Sequence, residues 1–456
     1  MKVKELCRYL KIENSNESII TDVVTNTKDV KNGDVLICVE GKNVNPTNLI
    51  TPDIESKCSL ILTDQINSRY QYVENLRDKV FNILDYFYFN HKHKFKVIGI
   101  TGTEGKSSLA QLIQQSLFLE NKKAILISSE LSNKYAFKYE NTTPDAKSII
   151  NVMLEAKRAN VDFLILEVSS IAIEQKRVSN NLFDYLFLTN LEEDHLDYHK
   201  NIFTYHKEKI FFLINNVKAK KFVYLDTYNK YPNFFNKIKN IIVLNKEDIK
   251  QKNNGLTKQS FYYKDKLYYT HLVFKQNIYN LVFIIEFLKS LNIYSSTRTI
   301  SKLRRIKGRL DLIHSRPYIM IDYAHSPKAL ENILINVNAF KQNRILVLFG
   351  AGGNRDKQKR RKYGEILNKY ADKIILTNDN PRKENPLVIA NEVKGNYLDK
   401  FEIILDRKIA IKTIINEANI DDIILILGRG NEEYQHIDNQ NIYLNDYVET
   451  RKCLGI

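Results

Sequence analysis

The chain has 456 residues, of which 43% are hydrophobic, and its formal net charge is +16 at pH 7. This hydrophobic share suffices for packed cores and excludes a disordered chain, and the length predicts roughly two to four domains. No apolar run reaches the ~20 residues that cross a bilayer, and the N-terminus has no signal-peptide core. We therefore expect a soluble, cytoplasmic protein that makes no membrane contact.

The basic residues are spread along the chain rather than gathered in one arm. This distribution fits compositional drift and anionic substrates better than nucleic acid. The four cysteines, Cys7, Cys38, Cys58 and Cys453, form no Cys-x-x-Cys pair. We expect reduced thiols rather than a zinc site or a disulfide framework.

The N-terminal part alternates short apolar runs with polar turns. Val35–Val39 and Leu60–Leu62 are such runs and predict a small α/β domain. From Leu76 to Asn90 the apolar residues recur at helical spacing. A helix is therefore expected there.

The rest of the chain alternates strand-like runs with helical ones. Phe95–Ile100 is a strand-like run followed by a glycine-rich turn and a helical stretch from Lys106 to about Leu119. The later strand-like runs are Phe163–Val168, Tyr185–Leu188, Ile319–Ile321, Ile345–Phe349, Ile374–Leu376 and Ile423–Leu427. This pattern predicts parallel sheets with helices on both faces. Ligands of such sheets lie beyond the carboxyl ends of the strands, where polar motifs follow these runs.

The glycine-rich turn has the composition of a phosphate-binding loop. It reads Gly102-Thr103-Glu104-Gly105-Lys106-Ser107-Ser108, between a strand and a helix. Backbone amides of such a loop hold phosphate oxygens, the lysine neutralises the β- and γ-phosphates, and the serine hydroxyl reaches Mg²⁺. We expect ATP here. A glycine-rich turn without a ligand is the alternative.

Further motifs follow in order along the chain. They are Asn141-Thr-Thr-Pro-Asp145, Glu167-Val-Ser-Ser170 with Gln175 and Arg177, Thr189-Asn-Leu-Glu-Glu-Asp-His195-Leu-Asp-Tyr-His199, Gly308-Arg309, Asp322-Tyr-Ala-His325, Gly350-Ala-Gly-Gly-Asn-Arg355-Asp, Asp379-Asn-Pro-Arg382 and Gly428-Arg-Gly-Asn-Glu432. This series resembles the Mur ligases, and among them the type that adds the third residue of the peptidoglycan stem peptide. The resemblance runs from about Val97 to the C-terminus and is weaker before that.

The resemblance implies three α/β domains. Residues 1–74 would hold the UDP end of the substrate, residues 75–308 would form the ATP-binding P-loop domain with a mainly parallel sheet, and residues 309–456 would form a Rossmann-like amino-acid domain. It also implies ATP-dependent formation of an amide through an acyl phosphate. The substrates would be small molecules, UDP-N-acetylmuramoyl-L-alanyl-D-glutamate, ATP and an amino acid, and the enzyme would be a monomer.

The resemblance assigns roles to the residues that match its motifs. Lys106, Glu167, His195 and Lys209 would be catalytic, and Ser107, Glu167, His195 and Lys209 would surround Mg²⁺, with Lys209 as a carbamate. ATP would contact residues 102–108 with Asn277, Asn280, Arg309, Asp322 and His325. The UDP-linked substrate would contact Thr27, Lys42, Asn43, Asn141, Thr142, Thr143, Ser169, Gln175 and Arg177. Taken alone, Lys209 could equally belong to a basic, solvated helix, and the threonines could be turn or cap residues.

The amino-acid substrate would contact Arg355, Asp379, Asn380, Pro381, Arg382, Gly428 and Glu432. Arg382 would pair with a carboxylate and repel an ammonium, which favours meso-diaminopimelate over L-lysine. Glu432 would accept from the distal ammonium. An arginine in a solvated loop is the alternative interpretation of Arg382.

Some positions depart from the family pattern. Glu104 stands where an asparagine is usual, and Ile171 and Asn431 stand where histidines are usual. These departures spare the expected metal and amino-acid residues. Addition of L-lysine, another Mur-type or folylpolyglutamate-synthase-like ligase, a P-loop protein without ligase activity and a nucleic-acid-binding relative remain as alternatives.

Overall fold

The computed structural model describes residues 1–41, 45–66, 68–128, 135–139, 141–194, 198–354, 356–438 and 440–456. The chain divides into two compact units, Met1–Lys246 and Glu247–Ile456. Within the described ranges, no helix combines the length and the apolar character needed to span a membrane. The three-domain division at 74/75 and 308/309 stays a prediction.

The first unit begins with a small parallel sheet of four strands in the order β1-β2-β3-β4. Its elements, in chain order, are α1 (Val3–Leu10), β1 (Val23–Val24), β2 (Asp34–Cys38), α2 (Pro52–Lys57), β3 (Cys58–Thr63), β4 (Gln71–Tyr72) and α3 (Leu76–Phe89). The apolar runs predicted as strands are β2 and β3, and the predicted helix is α3.

A seven-stranded parallel sheet forms the rest of this unit, in the order β11-β10-β9-β5-β8-β6-β7. Its elements are β5 (Lys96–Thr101), α4 (Lys106–Leu119), β6 (Ala124–Ser128), β7 (Ala136–Lys138), α5 (Ala146–Arg158), β8 (Phe163–Glu167), α6 (Ser170–Glu174), β9 (Tyr185–Leu188), α7 (Ile202–Asn215), β10 (Lys220–Tyr224), α8 (Leu225–Asn229), α9 (Pro232–Phe235) and β11 (Ile241–Leu244).

Burial on both faces explains why the central strands are continuous apolar runs. Leu164 and Leu166 of β8 share one core with Ile149 and Met153 of α5 and with residues of α3, α7 and the small sheet. Caps fix where the helices begin: the Asp145 carboxylate accepts from the Ser148 amide at 3.0 Å at the start of α5.

The second unit starts with an antiparallel sheet of three strands, β12 (Ile249–Asn253), β13 (Gln259–Tyr263) and β14 (Lys266–Thr270). Two helices follow, α10 (Lys275–Ser290) and α11 (Ser296–Lys302). The sequence patterns did not predict this sheet, because its strands mix exposed lysines with buried aromatic residues such as Phe261 and Tyr268.

A six-stranded sheet in the order β15-β16-β20-β17-β18-β19 forms the rest of this unit. Only its edge strand β15 is antiparallel. The elements are β15 (Asp311–Ser315), β16 (Tyr318–Asp322), α12 (Pro327–Asn338), β17 (Ile345–Phe349), α13 (Gln358–Tyr370), β18 (Lys373–Leu376), α14 (Pro386–Lys394), β19 (Phe401–Ile403), α15 (Arg407–Asn416), β20 (Ile423–Leu427), β21 (Tyr434–Ile437), β22 (Gln440–Tyr443) and α16 (Asp446–Leu454). Strands β21 and β22 form a separate hairpin.

Alternate residues of these strands face two different cores. Val347 and Leu425 pack in one core with α12, α13 and α14, whereas Leu346 and Ile424 pack in the other with α15 and α16. The period of two along each strand produces this division. The predicted α/β class, with helices on both faces of a mainly parallel sheet, is confirmed.

Candidate active site

The polar motifs of the first unit meet at the carboxyl edge of the seven-stranded sheet. β5 lies between β8 and β9, with Ile100 paired to Glu167 and Thr101 paired to Leu188. The loop after β5, the end of β8 and the segment after β9 are therefore neighbours. This is the edge where ligands of open parallel sheets bind.

The loop between β5 and α4 requires two of its glycines. Gly102 has φ +141° and Gly105 has φ +79°, a region that residues with a side chain rarely adopt. A Cβ on Gly102 would lie 1.9 Å from Oγ1 of Thr189. The loop can therefore lie tightly against the segment that follows β9 only with glycine at this position.

Two residues after β9 hold the backbone of Glu104. The Asn190 side-chain oxygen accepts from the amides of Thr103 (3.2 Å) and Glu104 (3.0 Å). The Glu104 carbonyl accepts from the Thr189 hydroxyl at 2.6 Å and from the Asn190 amide nitrogen at 3.2 Å. Residue 104 thus has a fixed backbone although its side chain departs from the family pattern.

The Lys106 ammonium lies over the loop. Its Nζ donates to the carbonyls of Gly102 at 3.0 Å and Thr103 at 2.8 Å. This is where a cation would neutralise phosphates held by the loop amides, and α4 starts at the same residue.

The Glu167 carboxylate is fully buried at the end of β8. Its Oε2 accepts from the Ser107 hydroxyl at 2.8 Å, and its Oε1 accepts from the Ser128 hydroxyl. A carboxylate beside hydroxyl oxygens is a donor set that suits the hard cation Mg²⁺. Over the described ranges no group of three or more His, Cys, Asp or Glu residues could hold a metal, and His195 lies outside them.

Lys209 lies on α7 and is only 1% exposed. Its Nζ lies 3.3 Å from the centroid of the Tyr205 ring, and no hydrogen bond to it is found among the described residues. Burial, and then the charge of Lys106, hold the pKa of the Lys209 amine well below its usual value. The interpretation of Lys209 as part of a solvated helix face is therefore wrong.

The residues predicted for the UDP-linked substrate form one network beside Glu167. The buried Thr143 hydroxyl donates to the Glu167 carbonyl at 2.9 Å and accepts from the Ser169 amide at 2.9 Å. Arg177 donates to the Thr143 carbonyl at 2.6 Å and to Oε1 of Gln175 at 2.7 Å. Asn141 is exposed and Thr142 half-buried at its edge.

The Arg177 guanidinium is therefore already engaged by this network. Because it is held by a carbonyl and an amide rather than by a carboxylate, its charge remains available to an anion. Thr27 is half-buried and begins a short 3-10 helix, Thr27–Asp29, that follows β1 of the small sheet. Lys42 and Asn43, which the resemblance assigns to the UDP-linked substrate, lie outside the described residues.

The structure brings together only some of the predicted nucleotide residues of the second unit. Asn277 and Arg309 line one small cavity, whereas the Asn280 side chain is buried and makes no hydrogen bond within the described part of the chain. Asp322 accepts from the amides of Leu310 and Ala324, both at 2.7 Å. His325 is exposed.

The loop that starts with Asp379 lies at the carboxyl edge of the six-stranded sheet, after β18. Gly353 and Gly428 allow it to pack closely: a Cβ on Gly353 would lie 1.9 Å from the Pro381 carbonyl, and one on Gly428 would lie 2.7 Å from Oδ2 of Asp379. The sheet thereby brings Asp379, Asn380, Pro381 and Arg382 together with Gly428 and Glu432. Arg355 lies outside the described residues.

Arg382 is held in an unusual backbone conformation with φ +55°. Its amide donates to the His436 carbonyl at 3.0 Å, its carbonyl accepts from the Asp438 amide at 2.6 Å, and its guanidinium donates to the Gly353 carbonyl at 2.6 Å. A left-handed non-glycine residue fixed from three sides is typical of functional sites. The interpretation of Arg382 as a freely solvated loop residue does not fit this geometry.

Asp379, the first residue of this loop, is buried with its carboxylate against Gly428. Burial raises the pKa of its carboxyl to about 6, while Arg407 opposes the rise. Arg407 itself forms a fully buried bidentate pair with Asp446, at 2.8 and 2.7 Å. The charge of Arg407 is thus committed to Asp446 rather than to Asp379.

Four residues of these sites carried no individual role in the sequence interpretation. Ser128 contacts Glu167, Tyr198 contacts Gln175, and Tyr323 and Arg429 surround Glu432. Tyr198, Tyr323 and Arg429 lie inside the quoted motifs, so their sequence positions were a usable signal. Nothing in the sequence pattern marks Ser128, which simply ends a buried strand.

Comparison with known proteins identifies two family domains along the chain. A profile for the Mur ligase middle domain matches residues 100–293, and a profile for the Mur ligase glutamate ligase domain matches residues 308–430. The chain is 32% identical, over 95% of its length and 95% of the relative's, to a UDP-N-acetylmuramoyl-L-alanyl-D-glutamate--2,6-diaminopimelate ligase of Wigglesworthia glossinidia brevipalpis. The chain belongs to the Mur ligase family.

Other Mur ligases match along most or all of the chain. A ligase of the same name from Listeria monocytogenes is 28% identical over 100% of both chains. A solved structure of such a ligase superposes with a TM-score of 0.73 at 22% identity, covering 100% of this chain and 99% of that one. The MurF ligase of Thermotoga maritima in complex with ADP gives 0.61 at 17% identity, covering 89% and 93%.

Proposed function

We propose that this Mur ligase uses ATP to join meso-diaminopimelate to UDP-N-acetylmuramoyl-L-alanyl-D-glutamate, a step of peptidoglycan precursor synthesis in cell wall biogenesis. Relatives named as 2,6-diaminopimelate ligases match along nearly the full chain. The observation that carries the amino-acid choice is the loop after β18, where the Gly353 carbonyl holds the Arg382 guanidinium and Asn380, two residues before Arg382, holds the Glu432 carboxylate. Diaminopimelate carries a carboxylate and an ammonium at its distal end, and L-lysine has only the ammonium.

The chemistry requires a carboxylate to be activated before an amine can attack it. The glutamate carboxylate of the UDP-linked substrate takes the γ-phosphoryl group of ATP, which gives an acyl phosphate and ADP. The amine of the amino acid then attacks the acyl carbon, and phosphate leaves as the amide forms. Negative charge accumulates on oxygen atoms in both steps, so the site must position and neutralise anions.

The residues of the first unit suit the first step. The loop amides and Lys106 would hold the phosphates, and Arg177 would hold a carboxylate of the substrate next to Thr143. Ser107 and Glu167, with His195, would hold Mg²⁺, which when bound neutralises phosphate charge. We also propose that ATP contacts Asn277, Asn280, Arg309, Asp322 and His325.

We also propose that Lys209 is carbamylated. Its amine is buried and lies on the Tyr205 ring without a hydrogen-bond partner among the described residues. To form a carbamate, the ammonium first releases a proton, and the neutral nitrogen then attacks the carbon of CO₂ and loses a second proton, so that a cationic side chain becomes an anion. That anion, unlike an ammonium, would attract a metal ion near Glu167.

The remaining features of the proposal concern organisation. The domains would be residues 1–74 for the UDP end, 75–308 for ATP and 309–456 for the amino acid. The enzyme would act as a monomer in the cytoplasm, where ATP is available, without nucleic-acid or membrane partners.

One assay tests the proposed reaction. The purified protein is given the UDP-linked dipeptide with ATP and Mg²⁺, and phosphate release is followed with diaminopimelate, with L-lysine or with neither. We expect release that depends on diaminopimelate. Equal rates with L-lysine would contradict the role of Arg382, and release independent of any amino acid would contradict ligase activity.

A further inference from the structure

The Glu432 carboxylate is held by one donor on each oxygen. Its Oε1 accepts from the Tyr323 hydroxyl at 3.0 Å, and its Oε2 accepts from the Asn380 amide nitrogen at 2.9 Å. The Glu432 side chain remains 27% exposed. Since each carboxylate oxygen has two lone pairs, both oxygens keep a free acceptor position.

The Asn380 amide is oriented by its surroundings. Its oxygen accepts from the Arg429 guanidinium at 3.1 Å and from the His436 amide at 2.8 Å. Two donors at the oxygen leave the nitrogen facing Glu432, which settles the orientation of the amide. The side chain of Asn380 therefore cannot turn away from Glu432 without losing these hydrogen bonds.

Arg429 is fully buried and engaged in several directions. Besides Asn380, its guanidinium donates to the carbonyls of Tyr434 at 3.1 Å and Leu444 at 3.0 Å. Tyr434 begins β21 and Leu444 directly follows β22. Its nearest nitrogen lies 3.7 Å from Oε2 of Glu432. The short hydrogen bonds to Glu432 therefore come from neutral groups, and the carboxylate keeps most of its charge for a ligand.

The Tyr323 hydroxyl is suited to be a permanent donor. Burial, and then the neighbouring Glu432, raise its pKa above the usual value, so it stays protonated at neutral pH. The Arg309 guanidinium lies over its ring, 5.1 Å from the centroid. The ring and the hydroxyl are thus both fixed, which limits the positions that Glu432 can take.

We infer that Tyr323 is a positioning residue for amino-acid selection: its hydroxyl fixes Glu432 so that the carboxylate receives the distal ammonium of the amino-acid substrate. This inference rests on the proposed function and extends it to the ammonium end of the substrate. Arg382 would select the distal carboxylate, and Tyr323, through Glu432, would select the distal ammonium. The two selections are separable because they act on different groups of the same molecule.

The test is a comparison of three amino acids with Tyr323→Phe. Diaminopimelate has both distal groups, 2-aminopimelate lacks the distal ammonium, and L-lysine lacks the distal carboxylate. We expect Tyr323→Phe to lower the ratio of kcat/KM for diaminopimelate over 2-aminopimelate about tenfold, which is the scale of one hydrogen bond to a charged group. The ratio of diaminopimelate over L-lysine should not change, because both carry the ammonium.

Tyr263→Phe is a matched control. The Tyr263 hydroxyl also donates to a glutamate, Oε1 of Glu286, at 2.9 Å in the same compact unit. Its loss removes a comparable buried hydrogen bond but should leave both ratios unchanged. If the ratio of kcat/KM for diaminopimelate over 2-aminopimelate falls in Tyr263→Phe as it does in Tyr323→Phe, the effect is a general structural one and the inference is overturned.

Glu432→Gln separates positioning from direct contact. If Tyr323 acts through Glu432, then Tyr323→Phe has no further effect on kcat/KM in the Glu432→Gln background. If Tyr323→Phe lowers kcat/KM equally in the wild-type and the Glu432→Gln backgrounds, the inference is overturned. If the wild-type enzyme is active with diaminopimelate but Tyr323→Phe keeps the wild-type ratio of kcat/KM for diaminopimelate over 2-aminopimelate, the inference alone is overturned. If the wild-type enzyme is inactive with every amino acid, the proposed function is overturned and the inference with it.

Discussion

The hydroxyl of Ser107 donates to Oε2 of Glu167 at 2.8 Å, and this bond joins the first turn of α4 to the end of β8. The two residues are 60 positions apart in the chain. Because β5 lies next to β8, the phosphate loop and the buried carboxylate are held at one edge of the sheet. A hydroxyl and a carboxylate that already share a hydrogen bond need little rearrangement to share a cation.

Glu167→Gln should lower kcat at least about a hundredfold. The amide keeps the volume of the side chain and can still accept a hydrogen bond, but it lacks the charge that attracts a divalent cation. Phosphate release measures the rate, and the electron paramagnetic resonance signal of Mn²⁺ measures cation binding. Ser128→Ala is the control, because it removes one donor to Glu167 and leaves the charge. A Glu167→Gln enzyme that binds Mn²⁺ normally would contradict the metal role.

Lys209→Ala should lose most of the activity, and acetate or another small carboxylate should restore part of it. The deleted side chain leaves a buried space in which an added anion can replace the carbamate. Lys221→Ala is the matched control, because Lys221 is also buried but its ammonium is held by the carbonyls of Val217 and Lys239. Rescue of Lys221→Ala by acetate, or normal activity of Lys209→Ala, would contradict the carbamate.

Glu104→Asn should lower the KM for ATP. The Glu104 backbone is fixed in the loop by Thr189 and Asn190, and we expect the carboxylate carried by this loop to repel the phosphates that the loop would hold. Removing a partly exposed negative charge near the phosphates corresponds to a decrease of the KM for ATP of roughly threefold to tenfold. Glu120→Asn, at the other end of α4, tests whether any loss of negative charge has this effect. An unchanged KM for ATP in Glu104→Asn would show that the carboxylate points away from the nucleotide.

Continuous apolar runs made the central sheets predictable. β9, β17 and β20 have the bounds that the runs indicated, because strands covered on both faces carry few polar residues. The ends of those runs also located the motifs correctly at the carboxyl edges. What these elements have in common is that burial alone determines their sequence.

Contacts between distant segments were not predictable in the same way. Ser128 is 39 positions from Glu167, and Tyr323 is 109 positions from Glu432. Each pair depends on which strands become neighbours, which the pattern within a strand does not encode. The sequence left a solvated position open as the alternative for Lys209 for a related reason: Lys207 and Glu208 make α7 look polar, while packing of the helix on the sheet decides which side is covered.

Arg382→Ala should reduce the preference for diaminopimelate over L-lysine by about tenfold or more. It removes the cation that pairs with the distal carboxylate and repels an ammonium. The ratio of kcat/KM for the two amino acids measures the effect. The preference over 2-aminopimelate, which keeps the distal carboxylate, should not fall, so the two ends of the substrate can be tested separately. An unchanged ratio against L-lysine would place the specificity elsewhere.

Asp379→Asn should stabilise the substrate-free protein near neutral pH while it lowers activity. Burial raises the pKa of the Asp379 carboxyl from 3.8 to about 6. A raised pKa means that the folded state holds the proton more tightly than the unfolded state. The protonated carboxyl therefore stabilises the folded state fully below about pH 4, and this stabilisation is lost as the pH rises through about 6.

The melting temperatures of the two proteins should accordingly diverge as the pH rises from about 4 to about 7. A shift of about two pKa units corresponds to roughly 3 kcal/mol at the upper end. Asp446→Asn is the contrasting control: Asp446 is paired bidentately with Arg407, so its neutralisation leaves a buried charge unpaired and should destabilise the protein. A difference between Asp379→Asn and wild type that does not vary with pH would show that the Asp379 carboxyl is not protonated in this range, and that its neighbours at Gly428 and Arg407 hold it as an anion.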